Sequence, residues 1–215
     1  MDRLLRCKCE FVACSRYSGA PIIVNGCVLP ESYGAVLRHT DGFVLKRRWF
    51  RFFGIVESAK TPSIYEWNRS PWIAQYGRLA EGLVFFAEDV FGDQYAFRLD
   101  PSAQPEAPVK FCCEGGVVEE IGGEAMDIWL REQVLSDASP PFDTDFASKA
   151  FERGLRPTAN EHLSFVVPLV VGGAYQMDNL EVFERTAHLH LLGQMSVKNL
   201  QLRDGERILR FKSGH

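Results

Sequence analysis

The 215-residue sequence predicts a globular chain that mixes strand hairpins with short helices. Three observations carry this expectation. Apolar residues make up 46% and charged residues 24%, enough for a core and too balanced for a disordered or collagen-like chain. Pairs of apolar runs meet at glycine-containing turns, the mark of hairpins. Other segments place apolar residues at helical spacing between Pro and Gly stops. The length fits one domain or at most two.

Residues 1–28 read as strand-like segments. Pro21-Ile22-Ile23-Val24 and Cys27-Val28-Leu29 flank Asn25-Gly26 as a hairpin. Residues 30–39 read as a helix, with Leu29, Tyr33, Val36 and Leu37 on one face. Pro30 suits the first turn, where its missing N–H costs nothing, and Glu31 favours the positive N-terminus. Asp41-Gly42 stops the helix. Residues 43–56 read as strand because Phe43, Trp49, Phe50, Phe52 and Phe53 dominate them. Residues 57–80 read as loop and short helix around Trp67 and Trp72.

The clearest hairpin spans 82–100. Leu83 to Ala87 is one strand, Gly92-Asp93 the turn, and Tyr95, Phe97 and Leu99 alternate with Ala96 and Arg98, so one face is expected to be buried. Pro101 to Pro108 is a loop, and Val109–Cys113 with Val117–Ile121 forms another hairpin about Gly115-Gly116. Residues 124–135 read as a helix through Met126, Trp129, Leu130 and Val134, ended by Ser139-Pro140-Pro141. Asp143 or Asp145 caps a further helix through Phe151, stopped by Gly154. Leu163 to Val171 reads as a buried strand with Pro168 at an edge or bulge. Asn179 to Gln194 mixes strand and helix signals, and Leu202 to Ile208 is a final turn.

A net charge of -4 disfavours a general nucleic-acid binder. No apolar run is long enough to span a membrane, and the first thirty residues hold no apolar signal core, so a cytoplasmic protein is expected. The six cysteines, Cys7, Cys9, Cys14, Cys27, Cys112 and Cys113, read as small hydrophobes in a reducing compartment. Cys7 and Cys9 lack zinc-site spacing, and the adjacent Cys112 and Cys113 face opposite ways on a strand. A phosphate loop, a Rossmann fingerprint, a G-x-S-x-G elbow and an H-E-x-x-H pair are all missing. No catalytic residue and no cofactor is expected.

His188-Leu189-His190 could hold a metal on a strand, where both side chains point one way; on a helix they lie about 200 degrees apart. Ordinary half-buried histidines are the default. Lys46-Arg47-Arg48 and Arg51, interleaved with aromatics, read either as a patch for nucleic acid or an acidic partner, or as an exposed edge with snorkelling cations, the expected case. Glu88, Asp89 and Asp93 flank a hairpin turn without the spacing of a calcium loop. They read as solvated turn residues or as a dock for a basic partner. Glu119 and Glu120, with Glu124 nearby, form a second acidic cluster. Asn68-Arg69-Ser70 matches a glycosylation pattern by accident of composition.

The order of these motifs resembles the SUKH superfamily, the cell wall assembly regulator-like proteins of yeast and bacteria. Leu29-Pro30-Glu31-Ser32-Tyr33, Val36-Leu37 and Asp41-Gly42 resemble its "LP-x-x-Y…FL…NG" helix. Leu83 to Leu99, with Gly92-Asp93 before the returning strand, resembles its central hairpin. Val109-Lys110-Phe111 and the Glu120–Leu130 segment resemble its next strand and its "S-F-x-x-W-L" helix, with Trp129-Leu130 matching and Met126-Asp127 near the place of Ser-Phe. Residues 163–208 are similar to a tail seen in some members and to the C-terminal region of some type VI secretion immunity proteins.

This resemblance implies an α+β fold: a central, mostly antiparallel sheet with helices packed on one side. Residues 1–215 are then expected to form one domain, with 140–215 an extension that completes or flanks the sheet. The resemblance implies no catalysis and carries over no residue role. Many bacterial members bind and neutralise a cognate toxin, often a nuclease. The leading expectation is therefore an immunity-type binding protein whose partner is a basic toxin, docked on Glu88, Asp89 and Asp93, with Glu119 and Glu120 second. A regulatory scaffold without a toxin is the alternative, and a metal-dependent enzyme using His188 and His190 the third reading.

Overall fold

Aromatic-rich runs between glycine turns build a seven-stranded sheet at the centre of the fold. The computed structural model describes residues 9–45, 49–99, 107–136 and 141–202. Strand β1 is Cys9–Phe11. A small hairpin of β2 (Ile23–Val24) and β3 (Cys27–Val28) follows. Asn25 and Gly26, with φ of 50° and 83°, take the left-handed conformations that a tight hairpin turn requires. Helix α1 is Glu31–Leu37, entered through Pro30 as expected. The aromatic run gives two strands, β4 (Phe43–Leu45) and β5 (Phe50–Phe52). Short helices α2 (Ile64–Trp67) and α3 (Pro71–Tyr76) lead into a 3-10 turn at Gly77–Ala80.

The expected hairpins then form as β6 (Leu83–Asp89) with β7 (Gln94–Arg98), and β8 (Pro108–Cys112) with β9 (Val117–Glu120). Helix α4 (Met126–Trp129) runs on through a wider turn at Leu130–Val134. Helix α5 (Thr144–Glu152) starts at Asp143, whose side chain accepts from Phe146 N–H at 2.8 Å. Strands β10 (Glu161–Phe165) and β11 (Leu180–Glu184) form a separate antiparallel pair, and helix α6 (Arg185–Gln201) closes the described chain. The large sheet is antiparallel throughout, in the order β1-β4-β5-β6-β7-β8-β9. Cys7, the Lys46-Arg47-Arg48 run, most of the Pro101–Pro108 loop, Ser139-Pro140 and the turn after Leu202 lie outside the described residues.

Helices cover both faces of the sheet, one more than expected. On the first face Tyr33 of α1 stacks on Phe52 at 5.2 Å and meets Phe86 and Phe97, while Trp129 of α4 meets Phe50, Phe86 and Tyr95. On the second face Trp72 lies 5.2 Å from Phe85, and Tyr76 lies 4.9 Å from Phe111. Helix α6 packs over α3, at Gly193, where a Cβ would press on Gln75 and Tyr76. Leu189 and Leu192 of α6 belong to the same buried cluster as the sheet. Strand β6 is buried along its whole length for this reason, so the 82–100 hairpin does not have the single buried face that its alternation suggested. A bulge between Phe85 and Ala87 adds one residue to β6, which puts Phe86 and Ala87 on the first face and Glu88 on the second.

The Leu163–Val171 strand stops early. β10 ends at Phe165, Val166 and Val167 are exposed, and Leu169–Val171 is a 3-10 turn. Pro168 has no N–H to offer a ladder, and the Asn179 side chain takes the place of a strand by bonding both Val167 N–H and Val167 C=O at 2.9 Å. The mixed signals of 179–194 resolve as strand followed by helix, with the Glu184 carboxylate capping Thr186 and Ala187.

Asn68 does the same service for β6. Its amide accepts from Phe85 N–H at 2.8 Å and donates to Phe85 C=O at 2.7 Å and to Ile64 C=O at 2.8 Å. The side chain of the accidental glycosylation pattern is thus buried. Asn68→Ala leaves both Phe85 backbone groups without a partner. Urea unfolding is expected to show a loss of about 2–6 kcal/mol, since each orphaned group costs about 1–3.

Candidate functional site

The second face of the sheet carries a buried charge cluster. Register places Arg51 of β5 opposite Glu88 of β6, and both are inaccessible to solvent. Arg51 Nη1 lies 2.8 Å from Glu88 Oε1, and Arg185, at the start of α6, donates to the same oxygen. Arg51 Nη2 donates to the backbone carbonyls of Thr158 at 2.7 Å and Glu161 at 3.0 Å. The Arg185 guanidinium sits over the Trp67 ring at 4.4 Å. Trp67 Nε1 donates to Gln94 at 2.7 Å, and the Gln94 amide reaches Gly92 C=O and Glu88 Oε2. Burial by itself raises the Glu88 carboxyl, but the two guanidiniums outweigh it and hold the group below the usual range.

One carboxylate and two guanidiniums leave this cluster with net positive charge. That charge shapes its neighbours. His162 Nε2 lies 2.9 Å from His188 Nδ1, and His188 stacks on Phe183 at 4.3 Å. Burial pushes His162 well down, with His188, Arg185 and Arg51 pushing the same way, and burial pushes His188 down to about 4. Both rings are therefore neutral near pH 7. His162 also lies directly on Gly92, where a Cβ would collide with the imidazole.

The acids predicted as a docking tip are mostly interior. Glu88 is spent in the Arg cluster. Asp89 is buried on the first face, where it accepts from Phe91 N–H at 2.9 Å, Asp93 N–H at 3.2 Å and Tyr95 OH at 3.0 Å. Burial, with the Asp93 charge adding to it, pushes its carboxyl up to about 7, against the pull of Lys110, Phe91 N–H and Tyr95 OH. Asp93 is half-buried, pairs with Lys110 at 2.9 Å and accepts from Cys113 N–H. These three acids brace their own hairpin, so a surface role for Glu88 and Asp89 is corrected: two-sided cover leaves them no contact with solvent. Glu119 and Glu120 are exposed on β9 at the sheet edge, and Glu120 pairs with Arg98 at 3.0 Å.

Other expectations are also revised. Arg51 is neither a docking cation nor a snorkelling edge residue. His188 and His190 lie on helix α6, where His188 faces His162 and His190 meets Gln194, so they do not converge on one ion. Among the described residues, no group of three or more His, Cys, Asp or Glu side chains could hold a metal. Cys113 is buried as expected, whereas Cys14 is exposed. Sequence reasoning passed over Arg185, Gln94 and His162. Phe50-Arg51-Phe52 did offer a signal, a lone cation between two core aromatics, which needs a buried counter-charge.

Comparisons with known proteins bear on this arrangement. Residues 24–131, half of the chain, match the SMI1/KNR4 family (SUKH-1). The chain belongs to that family. Residues 126–196 match a second family, described as T6SS immunity protein Tdi1, C-terminal. The SUKH-1 match therefore holds most of the sheet and α1, and the second match begins at α4 and takes in the layer docked by Arg185. Together the two support an immunity-type protein. The crystal structure of Atu4351 from Agrobacterium tumefaciens shares the fold, with a TM-score of 0.50 at 13% identity over 77% of this chain and 76% of that one. No curated protein matches.

Two outcomes are expected. Glu88→Gln strands two buried guanidiniums and is expected to cost about 3–5 kcal/mol in urea unfolding, whereas Glu119→Gln leaves stability unchanged. The histidines fold with depressed pKa values, so the unfolded chain takes up their protons first. Their contribution is neutral above about pH 6.5 and turns against the fold as pH falls towards 4. Ring-proton NMR is expected to show His188 titrating near 4. Wild type should also lose stability relative to His188→Gln over that window.

Proposed function

We propose that this SUKH-1 protein is an immunity protein that binds and neutralises a cognate bacterial toxin by capture, with no chemistry of its own. The observation that carries the reading is the match of residues 126–196 to the C-terminal part of a type VI secretion immunity protein. Within that match, β10, β11 and α6 form the layer that the Glu88 cluster fastens to the SUKH-1 sheet. The fastening gives a preorganised surface, and preorganisation lowers the entropy cost of binding.

The partner is a basic protein, such as a nuclease toxin. A net charge of -4 speeds capture of such a partner. Glu119 and Glu120 are the acids of the original set that stand exposed, and they lie on an edge strand beside exposed Val117. Asp93 contributes at most its half-exposed rim. The cytoplasm is the proposed site of action, and no helix among the described residues is long and apolar enough to cross a membrane.

Calorimetry with the purified product of the adjacent gene, at low and high salt, tests this. Tight binding that weakens with salt is expected. Replacing Glu119 and Glu120 together by Gln should slow association and flatten the salt dependence. Unchanged association in that variant would remove these two residues from the interface.

A further inference from the structure

Four of the nine large apolar side chains exposed among the described residues fall in one loop, Val166 to Tyr175. They are Val166, Val167, Val171 and Tyr175, from 36% to 55% exposed. No charged residue occurs from Val166 to Met177. Single exposed valines are ordinary, but four in one uncharged loop form a patch.

The loop is held in shape from several sides. Asn179 bonds both backbone groups of Val167 and also donates to Ala174 C=O at 2.9 Å. Val166 N–H donates to Asn179 C=O at 2.8 Å. Gly172, at φ 94°, turns the chain, and Gly173 lies so close to Val167 C=O that a Cβ would collide with it. The Glu114 carboxylate accepts from Leu169 N–H at 2.8 Å, and Asp143 accepts from Tyr175 OH at 3.0 Å. Apolar side chains are thus offered to solvent on a backbone whose polar groups are engaged. Such a loop loses little freedom on binding.

Its surroundings say what it fits. Glu181 is exposed just beyond it, and so is Asp178, which pairs with Arg153 at 2.7 Å. Glu114 belongs to the β8–β9 turn, so the loop adjoins the start of β9, the strand that carries Val117, Glu119 and Glu120. An apolar centre with an acidic rim complements a protein face with an apolar centre and a Lys/Arg rim. We propose that the 166–175 loop is the apolar centre of the toxin-docking surface, and that a basic protein face covers it. The inference rests on the immunity reading.

The test uses the full chain and the purified product of the adjacent gene. Val167→Ser with Val171→Ser removes apolar surface and changes no charge, and Tyr175→Ala is a second, independent variant. Circular dichroism and urea midpoints check that each variant folds. Affinity is expected to fall about tenfold or more, mainly through faster dissociation, with the salt dependence unchanged. Wild-type binding with unaltered affinity in the folded variants would overturn the loop assignment and leave the immunity reading standing. A wild-type chain that does not bind would overturn both. A wild-type dimer in sedimentation that the variants abolish would make the loop a self-association surface, which also overturns the proposal.

Discussion

The Glu88 carboxylate, enclosed between Arg51 and Arg185, is the contact on which the rest of the architecture depends. A lone carboxylate at that depth would be too costly to keep ionised, and two lone guanidiniums would be worse. Each group is tolerable only while the others are present. Arg51 comes from the sheet and Arg185 from the final helix, so the cluster is complete only once the C-terminal layer has docked. Arg51 also donates to the carbonyls of Thr158 and Glu161, just before and at the start of β10, and these bonds tie the second layer at another point. Burial keeps His162 and His188 neutral, with the two guanidiniums adding to the effect at His162, and the neutral pair links β10 to α6.

This arrangement separates two jobs that look alike in the sequence. Acids at Glu88 and Asp89 organise the interior; acids at Glu119 and Glu120 meet solvent on an edge strand. The second group is open to change, while the first is constrained by its counter-charges. Under the proposed immunity function, that division lets a recognition surface vary over a frame that does not.

Local features were readable in the sequence. Asn25-Gly26, Pro30 with Tyr33 and Val36, and Gly92-Asp93 each carry their geometry within a few residues, and each formed as expected. What was not readable was joined over long distances. Arg185 is 97 residues from Glu88, and no local pattern connects them. The exposure of Glu88 and Asp89 was misjudged because a charged pair beside a turn usually faces water; Glu88 is buried on the second face by a helix that begins about a hundred residues later, and Asp89 on the first face, against Tyr95, whose hydroxyl also reaches Pro141 C=O. Val166-Val167 was misjudged in the opposite sense. A run of β-branched residues reads as strand, but Pro168 and the Asn179 side chain end the ladder before it.

The extra residue in β6 has a further meaning for how this chain can vary. Strand faces are normally fixed by odd and even position, so gaining or losing one residue swaps every side chain beyond it. Here Phe85 pairs with Ala96 and Ala87 with Tyr95, which leaves Phe86 outside the count. Losing Phe86 would empty the space of one ring while Glu88 still faced Arg51 and Asp89 still faced Tyr95. At that single point the strand's length is negotiable; between the bulge and the turn, a one-residue change would exchange the surroundings of the two acids.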